Sequence, residues 1–444
     1  MGRFLAIVVG LSLAAPSLAF AQESEQETKE THPVAPSRGD RPEVNLPRSG
    51  VPEPESLDYD TPRVEPAGFP LLGGDSDIGF EFGAVGTLTR FGGGTRPYVW
   101  NMDLLLATSI KSGPQGTEFT QQSYLWQIDV PHFQGSSVRL NPAVSYSKTV
   151  NQGYFGIGNA SRAVLPANVQ GEPGRYFQYD EREARLRELT RIGWKPPWDI
   201  GLSTTWRYAA PDAYGGSKLE EDVLARRVRG YRDMCLAVLG GGFIYDTRDN
   251  EYFPHSGAFH QLGLRGVQGL PFDTGIQYAA LGVVLAGYVP LGGPFVFAAR
   301  GLVDAEFGRV PFFDLYTGGP FQTYEMIGGA QAVRGVPDGR YLGKLKTIGN
   351  VELRAMLLDF HLLGQSLHLG GDLLFDTGRL WSDYTFRSAA DGTGIGLKWG
   401  VGGGLYLIWG QAAVFRIEAA YSPDAISENP NLPIGIYVAD GVMF

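Results

Sequence analysis

The residues best able to do acid–base or metal chemistry near neutral pH are the six histidines: His32, His132, His255, His260, His361 and His368. They show no H-E-x-x-H or other ligand spacing. His255-Ser256 could supply half of a hydrolase dyad, yet the sequence offers it no clear acid partner and no oxyanion feature. Gly339-Arg340-Tyr341-Leu342-Gly343-Lys344 is one residue short of a phosphate loop and is followed by Leu345 where Ser or Thr belongs. The single cysteine, Cys235, excludes an intramolecular disulfide framework and a Cys-rich zinc site, and reads as a small side chain on a strand wall. Gly400-Val401-Gly402-Gly403-Gly404 reads as strand sequence that leaves room for side chains of neighbouring strands. No catalytic residue, metal site or cofactor is expected, and the chain is read as a non-enzyme.

The elements that carry these residues are set by composition and periodicity. The chain has 444 residues with 62 Gly and a formal charge of −10, which excludes a nucleic-acid binder with a general basic field. Arg3, the apolar run 4–15 and Ala19-Phe20-Ala21 have the form of a signal peptide, so residues 1–21 are expected to be removed before Gln22. Residues 22–66 carry 11 acidic and 5 basic residues with recurrent proline, a composition that cannot bury enough apolar area to order itself. This segment is expected to be disordered in the periplasm. After residue 21 no run of about 18 apolar residues occurs, so no transmembrane helix is expected.

From Ile78 onward the pattern has period two. Met102, Leu104, Leu106, Thr108 and Ile110 alternate with Asn101, Asp103 and Lys111. Ala413, Phe415, Ile417, Ala419 and Tyr421 alternate with Arg416 and Glu418, and Phe295, Phe297 and Ala299 with Arg300, Asp304 and Glu306. These runs are about 10–14 residues long, beyond the usual strand of a soluble sheet, and fit a membrane barrel with a polar lumen. Fifteen strands are predicted between 77–89 and 434–444, among them 175–192, whose Glu181–Glu188 stretch would also pass for a surface helix. Short and long connections alternate, which places the short ones and the C-terminus in the periplasm. An exported chain that also starts there needs an even number of strands. Ala67–Leu72 is the candidate for the missing one, which brings the barrel to 67–444 and the count to 16 strands. A short first strand leaves a weak seam where it closes against the last.

Several motifs now resemble one family. Ile327-Gly328-Gly329-Ala330-Gln331-Ala332-Val333-Arg334-Gly335, in the long 308–343 connection, resembles the loop motif of the BamA/TamA-type outer-membrane assembly barrels, also called the bacterial surface antigen family. Tyr245–Asn250 with Phe253-Pro254 and Gly257 is similar to a strand-turn signature of that family. Val351–Arg354 and Leu374–Gly378 resemble its next two strand motifs, and Tyr154–Asn159 a loop of its short members. Tyr437–Phe444 resembles the outer-membrane barrel assembly signal, with Tyr437, Val442 and Phe444 as its marks; Val442 and Phe444 are placed on one face, the lipid face. The resemblance implies membrane biogenesis: inserting or moving proteins or lipids, among outer-membrane lipids, with unfolded outer-membrane proteins or a separate periplasmic factor as partners and no nucleic acid. Family members usually carry POTRA domains ahead of the barrel, and residues 22–66 are too short for one. The alternative is a passive pore, a receptor or a structural barrel without insertase activity.

Alternation also predicts a lock. In 350–357 the apolar face is Val351, Leu353, Ala355 and Leu357, so Glu352 points inward; in 367–376 the same count sends Asp372 and Asp376 inward. Arg334 on the long loop is expected to fold back and pair with Glu352 and Asp376, since a guanidinium can bond such carboxylates two at a time. The resemblance implies the same Arg334–Asp376 contact, with Val333, Gly335 and Gly378 completing the motif.

Overall fold

The computed structural model describes residues 58–75, 79–113, 116–167, 169, 173–271, 274–362, 365–410, 413–425, 433–441 and 443–444. The expected signal peptide and most of the acidic segment lie outside these residues, as does Val442. The strands are β1 (Arg63–Asp75), β2 (Gly79–Phe91), β3 (Trp100–Gly113), β4 (Gly116–Asp129), β5 (Val138–Gly153), β6 (Gln178–Lys195), β7 (Trp198–Ala213), β8 (Met234–Asp246) and β9 (Gly257–Leu270). They continue as β10 (Gln277–Gly292), β11 (Phe295–Arg309), β12 (Thr317–Gly318), β13 (Tyr324–Glu325), β14 (Leu345–Leu362), β15 (Gln365–Trp381), β16 (Lys398–Trp409), β17 (Ala413–Tyr421) and β18 (Ile434–Asp440). Sixteen of them form one sheet in chain order, every neighbour antiparallel, while β12 and β13 pair only with each other inside the long loop. The fold is an all-β antiparallel transmembrane barrel of 16 strands. Its two ends approach each other where the rings of Phe69 (β1) and Phe415 (β17) meet edge-on at 4.8 Å.

The period-two pattern explains why these residues make walls. On β10, Tyr278, Ala280, Val284, Ala286 and Tyr288 are buried, while Leu281, Leu285 and Val289 stand exposed on the outside. Leu239 and Leu373 are 69% and 66% exposed, a burden in water and the expected state of a lipid-facing residue. The charged partners of the alternation point inward and neutralise one another. Arg265 meets Asp304 at 2.6 Å, Lys346 meets Glu306 at 2.9 Å, and Arg191 meets Asp199 at 2.7 Å. Paired this way, buried charges escape most of the penalty that isolated ones would incur.

The ambiguous 181–188 stretch is part of β6. Glu181 and Glu183 are buried and Leu186 faces out, and Arg207 of β7 reaches Glu183. Cross-strand pairing overrides the local helix preference here. β1 starts at Arg63, ahead of the expected barrel start at 67. Val64, Glu65 and Pro66 are in register with Arg90, Thr89 and Leu88, and the Arg63 guanidinium lies 4.4 Å from the centre of the Phe91 ring. Pro66 and Pro70 are tolerated because a terminal strand has a side that need not donate.

Candidate functional site: a loop locked across the lumen

The 308–343 loop, expected to fold inward, appears as the connection 310–344 between β11 and β14, and it crosses the lumen from wall to wall. Val310, Phe312, Phe313 and Leu315 pack with Tyr154, Leu219 and Leu342 in a cluster under the long loops. The chain then forms the β12–β13 ladder and runs on through Met326, Ile327, Ala332, Val333 and Val336, all buried against Leu302, Ile348 and Leu380.

At the far wall Arg334 is fully buried and meets three carboxylates. Its Nε donates to Asp376 Oδ2 at 2.7 Å and its Nη2 to Asp376 Oδ1 at 3.0 Å, and its backbone N–H adds a bond to Asp376 at 3.1 Å. Nη2 also lies 2.8 Å from Glu352 Oε1, and Nη1 donates to Glu418 Oε1 at 2.7 Å. The structure thus brings Arg334, Glu352 and Asp376 together and adds Glu418 of β17. Burial works against the guanidinium charge, but the bond to Asp376 and the fields of Glu352, Asp376 and Glu418 outweigh it and hold the Arg334 pKa above its usual value.

The rest of the motif fits around this contact by shape. Val333 is wholly buried in the loop's apolar cluster. Gly335 has φ +92, and a Cβ there would sit 2.9 Å from the Tyr421 carbonyl carbon and 3.0 Å from the Ala420 oxygen. Its N–H donates to Tyr437 Oη at 2.7 Å, which ties the loop to β18. A Cβ on Gly378 would overlap Ile327, and one on Gly400 would overlap the Arg334 carbonyl oxygen. Lumen donors take the loop carbonyls: Arg416 bonds Ala330 O at 3.1 Å, Arg300 bonds Gln331 O at 2.6 Å and Asn350 bonds Ala332 O at 2.7 Å. Sequence reasoning missed the roles of Glu418, Arg416, Arg300, Asn350, Tyr437 and Gly400. The alternation had already set Glu418, Arg416 and Arg300 on the charged face, so the signal that could have found them was present.

Glu352, Asp372 and Glu418 each place one oxygen within 4.8 Å of the others, a spacing a cation could use. Guanidinium groups and one tyrosine hydroxyl already hold this donor set. Arg354 lies 2.7 Å from Glu352 and Arg416 lies 3.2 Å from Glu418, in addition to Arg334, and Tyr406 donates to Asp372 at 2.9 Å. The cluster is a salt-bridge network rather than a metal cradle.

One expectation changes. Phe444 does not face lipid: Gly441, at φ +69, turns the chain after β18, and the Phe444 ring ends in the lumen. There it stacks on Tyr288 at 6.3 Å, with the Arg300 and Arg354 guanidiniums 5.1 and 5.0 Å from its centre. Tyr437 also points inward, while Ile434, Ile436 and Val438 take the outer face. His255-Ser256 lies in a turn organised by Asp249, whose Oδ1 accepts the His255 and Ser256 amides at 2.9 and 3.1 Å. Among the described residues no bond joins the His255 ring to the Ser256 hydroxyl.

The strand-turn motif and the 154–159 motif close the two ends. In the turn 247–256, Glu251 reaches Arg139 of β5 at 2.6 Å, and Phe253 meets Tyr406 of β16 edge-on at 5.5 Å. At the other end, Ile157 bridges to Leu342, and Asn159 bonds Gly396 O at 2.7 Å. Tyr154 donates to Asp222 at 2.8 Å, in the short helix α1 (Lys218–Leu224). Three long loops are joined by one hexapeptide.

A family model described as the Omp85 superfamily domain matches residues 107–429. Among solved structures, the chain is similar to BamA from Haemophilus ducreyi lacking POTRA domains 1-3, at 14% identity and a TM-score of 0.47, with 86% of this chain and 70% of that chain covered. It is also similar to CdiB from Escherichia coli, at 13% identity and a TM-score of 0.49, with 87% and 68% covered. No curated protein matches the sequence.

Proposed function

The chain belongs to the Omp85 superfamily of outer-membrane barrels, which insert or transport and are not enzymes, and on that premise we propose that it serves outer-membrane biogenesis by helping proteins or lipids enter or cross the membrane. The observation that carries this reading is the locked loop. A passive pore needs an open lumen, and here the lumen is crossed by 310–344 with Arg334 bonded to three carboxylates. Cargo then leaves the seam between β1 and β18 as its route. β18 has 7 residues and β17 has 9, against 13 in β1, so few ladder bonds can close that seam. The partners of this reading are outer-membrane lipids around the apolar belt, unfolded outer-membrane proteins as cargo, and a separate periplasmic factor that delivers them.

The test is reconstitution in liposomes. The barrel should speed the insertion of an unfolded outer-membrane protein, read as gain of heat-modifiable gel mobility, above the rate in empty vesicles. An unchanged insertion rate together with steady ion conductance would replace this reading with that of a pore.

A further inference from the structure

The locked loop has a second attachment, on the stretch of wall that precedes β14 in the sheet, built from glycine. Gly201 of β7 is in register with Gly242 of β8, Gly242 with Gly263 of β9, and Gly263 with Gly282 of β10. The row is continued by Asp304 of β11, the register partner of Gly282. The tip of the β12–β13 hairpin lies on this row. A Cβ on Gly282 would sit 2.6 Å from Pro320 N, one on Gly263 would sit 2.6 Å from Pro320 O, and one on Gly201 would sit 2.6 Å from Phe321 Cζ. None of these positions could carry a side chain with the tip in place.

Polar contacts clamp the tip at both ends. Asp304 accepts the Gly319 N–H at 2.9 Å, and Arg187 of β6 donates to the Gln322 side chain. Phe321 is buried. Beyond the tip, toward the turn 247–256, the lumen holds a cavity of about 380 Å³ bordered by Gln322, Tyr324, Arg248 and Glu251. The hairpin therefore stands between this cavity and the long-loop end of the barrel.

We propose that the glycine row and Asp304 form a latch for the hairpin tip Gly319–Gln322, independent of the Arg334 lock, and that release of this latch opens the cavity to the long-loop end while Arg334 stays bound. The physical basis is separation. The two attachments use different strands, β7–β11 for the tip and β14–β17 for Arg334, and differ in their main force, close fit of the tip over glycine at the row and charge pairing at Arg334.

The test reads exposure of the tip by the labelling rate of Thr323→Cys with a bulky polar maleimide, in a Cys235→Ser background, on the full chain folded in detergent. Gly263→Ala with Gly282→Ala should raise the rate roughly tenfold or more, because the tip can no longer seat. Gly266→Ala with Gly287→Ala on the same two strands should leave it unchanged, since nothing lies within 4 Å of either position. Phe321→Ala leaves the wall intact and should open the tip in the same direction, which keeps the test decisive if the double glycine variant does not fold. Arg334→Ala alone should leave the tip protected. A tip as closed in Phe321→Ala as in the parent, equal opening by the control pair, or full exposure in Arg334→Ala would each overturn the latch.

Discussion

The backbone carbonyl of Arg334 occupies the space where a side chain on Gly400 would begin. The lock is thus a shape contact with β16 as well as a charge contact with β14, β15 and β17. Gly400→Ala should push the loop off the wall without touching any charged group. We expect a loss of about 1–3 kcal/mol, as for overpacking, and new trypsin cleavage at Arg334 in the folded barrel.

Arg334→Ala removes the common partner of Glu352, Asp376 and Glu418. Glu352 keeps Arg354 and Glu418 keeps Arg416. Asp376 keeps only the Asn350 amide, at 2.8 Å, among the side-chain partners shown. The loss should be about 3–5 kcal/mol, the range for breaking a buried pair. Adding Asp376→Ala should cost little more, because the stranded carboxylate is then gone. Denaturation midpoints of the two single variants and the double variant measure this. Strict additivity, within about 0.5 kcal/mol, would mean that the two residues act separately.

The sequence made Arg334, Glu352 and Asp376 legible because strand alternation is a strict count and the loop is long. Glu352 and Asp376 fall on inward positions, and the predicted loop 308–343 is long enough to reach them. The part played by Glu418 was not legible in the same way: its inward face follows from alternation, but its height along the wall depends on the stagger between β15, β16 and β17. Phe444 shows the limit of alternation. It assigns a face only while the strand continues, and Gly441 ends β18 with a left-handed turn that reverses the side. The glycine row across β7–β10 was hidden for another reason. It exists only in register, and each glycine alone looks like ordinary strand sequence.

Glu325, in the loop ladder, is an acid whose burial, reinforced by Asp338, pushes its pKa from the ordinary 4.5 to about 7. Burial also raises Asp338, against the bond from Gln152. A carboxyl with a raised folded-state pKa favours folding while both states are protonated, and that contribution is lost as pH rises through the folded-state value. Loop stability should therefore be full below about pH 4.5 and fall as pH approaches about 7. Protease resistance of the loop across this window reads it. Glu325→Gln should flatten the dependence; an unchanged slope would assign it to other groups.

Residues 58–62 are tied to the barrel, with Gly93 N bonded to Asp60 O at 3.1 Å and the Tyr59 ring 6.3 Å from that of Phe91. A chain beginning at Asp58 should refold into detergent with the heat-modifiable mobility of the parent. One beginning at Ala67 loses the Arg63–Pro66 part of β1 and its pairing with β2, and should unfold at lower urea. Equal midpoints for the two would show that the added register contributes nothing.

Tyr437 links the lock to the last strand through one bond, Gly335 N–H to Tyr437 Oη. Tyr437→Phe keeps the ring and removes only the acceptor. The orphaned Gly335 amide should cost about 1–3 kcal/mol, the desolvation penalty of an unpaired buried donor. The cost should appear only while Arg334 holds the loop in place, since a released loop returns the amide to water. In an Arg334→Ala background, Tyr437→Phe should therefore leave the urea midpoint unchanged. A loss of the same size in both backgrounds would show that Tyr437 supports β18 alone and carries nothing from the loop to the seam.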